Sequence, residues 1–203
     1  MQLEGAIKFD LNFSAGKPVP LEHIESLNHW RSVLWQHQLV GQDPSRYDGY
    51  GFGNVSQRLD HGFIISGSQT GGIQTLQASD YAVVTKYDLT VNRVDAQGVT
   101  PPSSESLTHG TIYHQSSDIR VVLHAHSPDI WQATEKLGLS ATNAAVPYGT
   151  PDMAREVERL FNESAVAKQK IFSMGGHEDG IVAFGNTAEE AGTVLLNTLS
   201  MCR

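Results

Sequence analysis

The chain has 203 residues, with 14 Lys and Arg residues against 22 Asp and Glu residues, and a formal net charge of −8 at pH 7. This length suits one domain that buries a substantial core without disulfides. The acidic balance argues against a surface for nucleic acids or anionic membranes, and no apolar run approaches the roughly 18 to 20 residues of a membrane helix. A single cysteine and the absence of a signal-peptide pattern in residues 1–10 predict a reducing, cytoplasmic location.

The nine histidines are the unusual feature of the composition, because some of them could hold a metal. We expect residues 1–19 to form an N-terminal arm and residues 20–203 to form one domain. A helix is predicted from residue 20 to about 40, where Gly41 stops it, because apolar residues recur there at helical spacing.

Short strands and helices follow this first helix. Strands are predicted at 55–59, 62–66, 81–86, around Thr90, and at 120–126, 170–174 and 181–184. Helices are predicted from about 101 to 116, from Thr150, and from Thr187, where hydroxyl caps precede acidic residues. Strands that arrive in pairs, flanked by helices, indicate an α/β layered domain with many antiparallel pairings.

His124 and His126 stand at the end of the apolar strand 120–126. Alternate residues of a strand face the same side, with roughly 6 to 7 Å between their bases. Two imidazoles at that separation can reach one ion at about 2.0 to 2.1 Å each. The pair alone is a weak signal, because surface histidines also occur at this spacing by chance.

Two further residues complete a candidate ligand set. Glu105 lies in the first turn of a predicted helix, and His177 lies in the Gly-rich turn 175–180. Three nitrogens and one carboxylate oxygen suit zinc or another divalent first-row metal. Each residue alone has an ordinary reading, since acids are favoured at helix N-termini and histidines occur in turns. Pro128 excludes the HxHxDH pattern of one group of metallo-hydrolases.

Two Gly-rich turns, 53–56 and 68–71, expose backbone N–H groups and hydroxyls of the kind that bind anions. A serine pair precedes a helix, whose N-terminus adds a positive end. The candidate anion-binding residues are Gly53, Asn54, Thr70, Gly71, Ser103 and Ser104. The alternative is a plain turn into a strand and a helix cap. His109 could support a metal ligand, and Tyr148 could carry a proton to substrate.

In order, these motifs are Gly53-Asn54-Val55-Ser56-x-Arg58, a Ser/Thr/Gly loop, Pro102-Ser103-Ser104-Glu105, His124-x-His126, Pro147-Tyr148 and His177. From about Leu27 onward, the chain resembles the class II aldolase/adducin family, which contains fuculose-phosphate and rhamnulose-phosphate aldolases. The resemblance implies a three-layer α/β/α fold with a mixed, mostly antiparallel central sheet. It also implies a homotetramer with active sites at subunit contacts, and a zinc ion held by His124, His126 and His177.

By the same resemblance, Glu105 is both a ligand and the acid/base residue of a metal-dependent lyase in carbohydrate metabolism. The expected reaction is aldol cleavage of a small ketose or phosphoketose through an enediolate. The six candidate anion-binding residues would then hold the substrate phosphate. The segment between His126 and Pro147 is much shorter than in the sugar-phosphate aldolases, where it supplies a proton-donating tyrosine from a neighbouring subunit. No residue of this segment matches that tyrosine.

Two other functions remain open. A sugar-phosphate dehydratase or epimerase could use the same metal site, although the related epimerases carry aspartate where this chain has Glu105. A non-catalytic, adducin-like assembly module is the third hypothesis. The intact ligand set argues against it.

The acidic composition implies that the metal and backbone amides, rather than a basic surface, hold any anionic substrate.

Overall fold

The structure is a computed structural model that describes residues 5–202. Its strands are β1 (Asp10–Ala15), β2 (Gly41–Gln42), β3 (Gly51–Phe52), β4 (Asn54–Arg58), β5 (Phe63–Ser66), β6 (Tyr81–Asp88), β7 (Arg93–Gly98), β8 (Val121–His126), β9 (Ser140–Ala141), β10 (Ile171–Ser173) and β11 (Gly180–Gly185). Its helices are α1 (Glu25–Gln36), α2 (Ser106–Gln115), α3 (Pro128–Gln132), α4 (Pro151–Glu163), α5 (Val166–Gln169) and α6 (Ala188–Ser200).

Nine strands form one sheet in the order β1-β7-β6-β5-β4-β8-β11-β10-β9, and β2 and β3 pair separately within the described residues. The pairs β1–β7 and β9–β10 are parallel, and the other pairs of this sheet are antiparallel. In the part of the chain that the structure describes, parallel pairs thus lie at the two edges of this sheet. The predicted mixed, mostly antiparallel sheet is confirmed.

Helices cover both faces of the sheet, as the alternation of buried side chains along β8 requires. Leu123 packs in a cluster with Leu27 of α1 and Leu195 of α6. Its neighbour Val122 packs on the opposite face with Leu107 of α2. The second cluster also includes apolar residues of α4. The result is the predicted three-layer α/β/α arrangement with a core on each side.

Several element boundaries differ from the sequence predictions. The strand predicted around Thr90 is wrong, because Asp88 Oδ1 accepts hydrogen bonds from the Thr90 amide and hydroxyl and makes a turn there. The first helix ends at Gln36 rather than near residue 40, since Gln38 adopts a left-handed φ of 58°. The helix α3 and the short strand β9 had no clear signal in the sequence.

The predicted arm contains an ordered strand. β1 pairs in parallel with β7 from Asp10 opposite Arg93 to Ala15 opposite Gly98. Residues 1–4 of the arm and residue 203 of the predicted domain lie outside the described residues. The division at residue 19 stays a prediction, although residues 10–15 belong to the sheet. No helix of the described chain has the length and hydropathy needed to cross a membrane.

We predict that Gly192→Ala lowers the free energy of unfolding. A Cβ at Gly192 on α6 would lie 1.9 Å from Cε3 of Trp30 on α1. Overpacking of this kind costs about 1 to 3 kcal/mol, which exceeds the gain of about 1 kcal/mol in helix propensity. Urea denaturation measures the change. Thr193→Ala, at an exposed position of the same helix, should change stability by no more than about 0.5 kcal/mol. A Gly192→Ala variant as stable as the parent would contradict this packing.

Candidate metal centre and anion cradle

Strand pairing at the centre of the sheet brings the candidate residues together. β8 lies between β4 and β11, with His124 opposite Asn54 on one side and His126 opposite Gly180 on the other. His177 lies three residues before Gly180, in the turn that leads into β11. Because β8 is buried along its whole length, its two histidines are removed from water.

Three imidazoles converge on one point. The nearest ligand atoms of His124, His126 and His177 all lie within 4.8 Å of one another. The Nε2 atoms of His124 and His126 are 3.2 Å apart. All three side chains are at most 4% exposed. Among the described residues, this is the group of His, Cys, Asp or Glu side chains with the spacing to bind a metal ion.

Glu105 immediately precedes α2, and its carboxylate lies beside the three histidines. Its Oε2 lies 3.0 Å from His124 Nε2, and its Oε1 lies 3.3 Å from His177 Nδ1. Burial alone would raise the pKa of this carboxyl group, but the neighbouring imidazoles of His124 and His177 outweigh burial and lower the pKa to about 2. Glu105 is therefore a buried carboxylate at neutral pH, able to act as a ligand or a base.

These residues fit a divalent metal. Two ligands held about 2.0 to 2.1 Å from one tetrahedral ion lie about 3.3 to 3.4 Å apart. The separations of 3.2 Å between the Nε2 atoms and of 3.0 Å to the carboxylate are close to that value. The Nδ1 atom of His124 lies 3.2 Å from the Ile181 carbonyl, which directs Nε2 toward the cluster, as an outer hydrogen bond commonly does for a metal ligand. Burial lowers the pKa of His126, which keeps its imidazole neutral and able to coordinate.

The six residues predicted to bind an anion also lie together. Gly53, Asn54, Thr70, Gly71, Ser103 and Ser104 line one small cavity, which we call the anion cradle. The Asn54 Oδ1 atom is buried and has no hydrogen-bond partner among the described residues. The cradle adjoins the metal cluster through the chain itself, because Ser104 directly precedes Glu105 and Asn54 pairs with His124.

The other histidines divide as the sequence suggested. His23, His29, His37, His61 and His114 are exposed. His109 is fully buried, and its Nδ1 lies 2.6 Å from the Ser56 hydroxyl, which in turn lies 2.7 Å from the Tyr113 hydroxyl. Burial lowers the pKa of His109 to about 3, so it is neutral behind Glu105. His109 thus lies in a buried hydrogen-bond network one helical turn beyond Glu105.

Sequence reasoning missed Tyr47, whose ring lies edge-on against His126 with 4.6 Å between centroids. Its hydroxyl donates to Asp179 Oδ2 at 2.6 Å and accepts from Arg46 at 2.7 Å. Tyr47, Asp48 and Asp179 all adopt positive φ, which is strained for residues other than glycine. No local motif in the sequence marked Tyr47, because its partner Asp179 lies far along the chain.

Tyr148 lies beside His177, with the rings stacked at 4.4 Å between centroids. Lys8 lies over the ring of Tyr148, with its Nζ atom 3.5 Å from the ring centroid. The same Nζ donates a hydrogen bond to the Tyr148 backbone carbonyl at 3.0 Å. Two ordered tyrosines, Tyr47 and Tyr148, therefore contact metal-ligand candidates. Lys8 falls in the predicted arm, where no motif marked it.

The comparisons with known proteins identify the family. The family described as Class II Aldolase and Adducin N-terminal domain matches residues 43–203. This match spans most of the chain, so the chain belongs to that family, as the resemblance implied. Membership supports lyase-like chemistry and dependence on a divalent metal. No curated protein matches the chain in sequence.

Solved structures support the fold assignment. L-fuculose-1-phosphate aldolase from Thermus thermophilus is 17% identical, with a TM-score of 0.63 over 90% of this chain and 92% of that one. Another L-fuculose 1-phosphate aldolase is 18% identical, with a TM-score of 0.67 over 91% and 84%. YgbL from Klebsiella pneumoniae, whose description leaves aldolase, epimerase and decarboxylase open, is 19% identical, with a TM-score of 0.66 over 90% and 87%. At these identities the likeness shows the fold alone.

We predict that Tyr47→Phe weakens metal binding by up to about tenfold, because the Tyr47 hydroxyl fixes Asp179 in the turn that carries His177, whereas partners that bond a ligand directly contribute a factor of 10 to 100. Phenylalanine keeps the ring against His126 and removes the hydrogen bond that holds Asp179 near His177. Competition with a chelator of known affinity measures the change. Tyr50→Phe, at an exposed tyrosine of the same loop, should leave affinity unchanged. Equal affinities for the two variants would contradict a role for the Tyr47 hydroxyl.

Proposed function

We propose that this protein is a metal-dependent lyase that cleaves a small phosphorylated ketose by a retro-aldol reaction. One observation carries the proposal: a buried cluster of three histidines and an ionised carboxylate lies directly beside a polar cradle. His124, His126, His177 and Glu105 would hold the metal. We further propose zinc as the metal and a homotetramer as the assembly, both from the family resemblance. The cytoplasmic location stays a prediction.

Lewis acidity at the oxygen atoms of a hydroxy-carbonyl substrate is what a bound divalent metal would supply. The role of Glu105 follows from its charge and position. As a carboxylate it can accept the proton of the substrate hydroxyl whose carbon becomes the aldehyde. The adjacent carbon–carbon bond then breaks, and its electron pair stays on the carbonyl fragment as an enediolate. Protonation of that fragment completes the reaction, and Glu105 can return the proton it received.

The anion cradle would hold the phosphate away from the reacting bond. Asn54 offers a side-chain amide, Ser103 and Ser104 offer hydroxyls, and the Gly-rich turns offer backbone N–H groups. Binding energy from this non-reacting end of the substrate orients the carbon chain at the metal. A buried site also excludes water from the enediolate.

A dehydratase or an epimerase at the same metal site is the second candidate, and the description of YgbL includes an epimerase beside an aldolase and a decarboxylase. Both begin with formation of an enediolate or an equivalent anion, and the products separate them. A lyase shortens the carbon chain, a dehydratase keeps all carbons and loses water, and an epimerase keeps the mass. For a panel of phosphorylated ketoses, mass spectrometry of the products separates cleavage from loss of water, and NMR of the products detects epimerisation, which leaves the mass unchanged.

We predict that the purified protein carries a first-row divalent metal at near-stoichiometric level, and that His126→Ala reduces it to a small fraction. His126→Ala takes away one of the three imidazoles, the strong nitrogen donors of the proposed site, whereas loss of the Glu105 carboxylate leaves all three imidazoles in place. Elemental analysis of the protein measures the metal content. His29→Ala, at an exposed position of α1, should retain the full content. A metal-free protein, or equal content in the two variants, would contradict the proposed centre.

We predict that Glu105→Gln abolishes enolisation while much of the metal is retained. Exchange of a carbon-bound proton of dihydroxyacetone phosphate with deuterium oxide, followed by NMR, reports this step without an aldehyde partner. Loss of the base should slow the exchange by about 10²- to 10⁴-fold. Glu163→Gln, at an exposed carboxylate of α4, serves as the control. If metal-loaded parent protein catalyses no exchange and converts no sugar phosphate, the assembly-module hypothesis gains instead.

A further inference from the structure

We propose that Arg31 is a positioning residue for the anion cradle, and that its buried guanidinium orients the loop 67–74 and adds a positive charge behind the cradle. This inference rests on the proposed function, because it assumes that the cradle receives the anionic end of the substrate. It gives the cradle a cation that the sequence analysis, which found no basic surface, did not expect.

Within the described residues, the hydrogen bonds of the Arg31 guanidinium go to one loop. Its Nη1 donates to the Gln74 carbonyl at 3.0 Å, and its Nη2 donates to the carbonyls of Thr70 at 3.0 Å and Gly71 at 3.3 Å. Arg31 lies on α1 and is 3% exposed. A long, charged side chain is rarely buried to this extent without a specific partner. Here the partner is the backbone of the loop that supplies Thr70 and Gly71 to the cradle.

Peptide geometry turns these bonds into an orientation of the cradle amides. In a planar trans peptide the N–H points opposite to the carbonyl. Because the Thr70 and Gly71 carbonyls face Arg31, the N–H groups of Gly71 and Gly72 face away from it. The Gly71 nitrogen lies 3.1 Å from the position of a Cβ on Gly51, another residue that lines the cradle. Arg31 thus directs backbone donors of this loop toward the cavity side.

Close packing around the loop restricts its backbone to this orientation. A Cβ at Gly71 would lie 2.3 Å from the Gly41 carbonyl oxygen, so the loop packs directly on backbone. The Thr70 hydroxyl donates to the Gly67 carbonyl at 2.8 Å and closes the turn. The guanidinium of Arg31 supports this packed loop from the side of α1.

The charge of Arg31 has a second effect. Its hydrogen-bond acceptors are neutral carbonyls, and no carboxylate of the described residues lies within ion-pair distance of it. Burial lowers the pKa of Arg31, while Tyr81 and Asp80 act in the opposite direction, and an arginine remains charged in a protein. A buried cation that has no carboxylate in ion-pair contact is unfavourable. An anion in the adjoining cradle would offset this cost.

The test measures binding of inorganic phosphate to the metal-loaded protein by calorimetry, for the parent protein and for Arg31→Gln and Arg31→Lys. Arg31→Gln removes both the positive charge and the planar pair of guanidinium donors, so it should weaken phosphate binding by about tenfold or more. Lysine keeps the charge but cannot reproduce the planar fork, so Arg31→Lys should show a smaller loss of about threefold or more. Metal affinity should stay at the parent value in both variants.

Arg58 offers a matched control. Its guanidinium also binds backbone carbonyls, those of Ile119, Tyr113 and Ser116, at a distance from the cradle-lining loop. Arg58→Gln should therefore lower stability without changing phosphate affinity. If Arg31→Gln fails to fold, the comparison of Arg31→Lys with Arg58→Lys decides. In steady-state assays with a phosphoketose, the Arg31 variants should raise KM more than they lower kcat.

The outcomes separate this inference from the proposed function. Phosphate affinity that falls in the Arg31 variants supports the inference even if no lyase activity is found. Parent-level affinity in both Arg31 variants, or no phosphate binding by the parent protein, overturns it even if the metal centre is active. Equal losses in the Arg31 and Arg58 variants would also overturn it, because they would reflect general loosening of the fold.

Discussion

The antiparallel pairing of β8 between β4 and β11 is the interaction on which the site depends. It buries His124 and His126 in the middle of the sheet, sets Asn54 beside the first histidine, and brings the His177 turn beside the second. Buried imidazoles and a buried carboxylate are costly unless they are paired or bind a metal. The fold brings these groups together in one place, and the same pairing explains why the metal centre and the anion cradle share a border.

Much of this arrangement could be predicted from the sequence. The alternation in His124-Ala125-His126 requires both imidazoles to share a face, and ordered motifs supplied Glu105, His177 and the cradle residues. The layered fold followed from paired strands and flanking helices. Boundaries were less predictable, since the end of α1 depends on the left-handed backbone of Gln38 and the turn at Thr90 depends on one Asp88 carboxylate.

Contacts between residues far apart in sequence were not predictable from local patterns. Tyr47 and Asp179 are 132 positions apart, and their hydrogen bond exists only because the loop before β3 folds onto the His177 turn. The contact between Lys8 and Tyr148 spans 140 positions. Arg31 falls within the predicted first helix, where no motif marked it, yet it is buried against backbone carbonyls of a loop about forty residues away. Such contacts need the tertiary structure.

A divalent metal at the three histidines and Glu105 is the central claim, and a crystal structure of metal-loaded protein with anomalous diffraction data tests it most directly. We expect one strong anomalous peak about 2.0 to 2.3 Å from a ring nitrogen of His124, His126 and His177, with a carboxylate oxygen of Glu105 in or next to the coordination shell. A metal bound elsewhere, or a cluster that stays empty at saturating zinc and manganese, would contradict this claim.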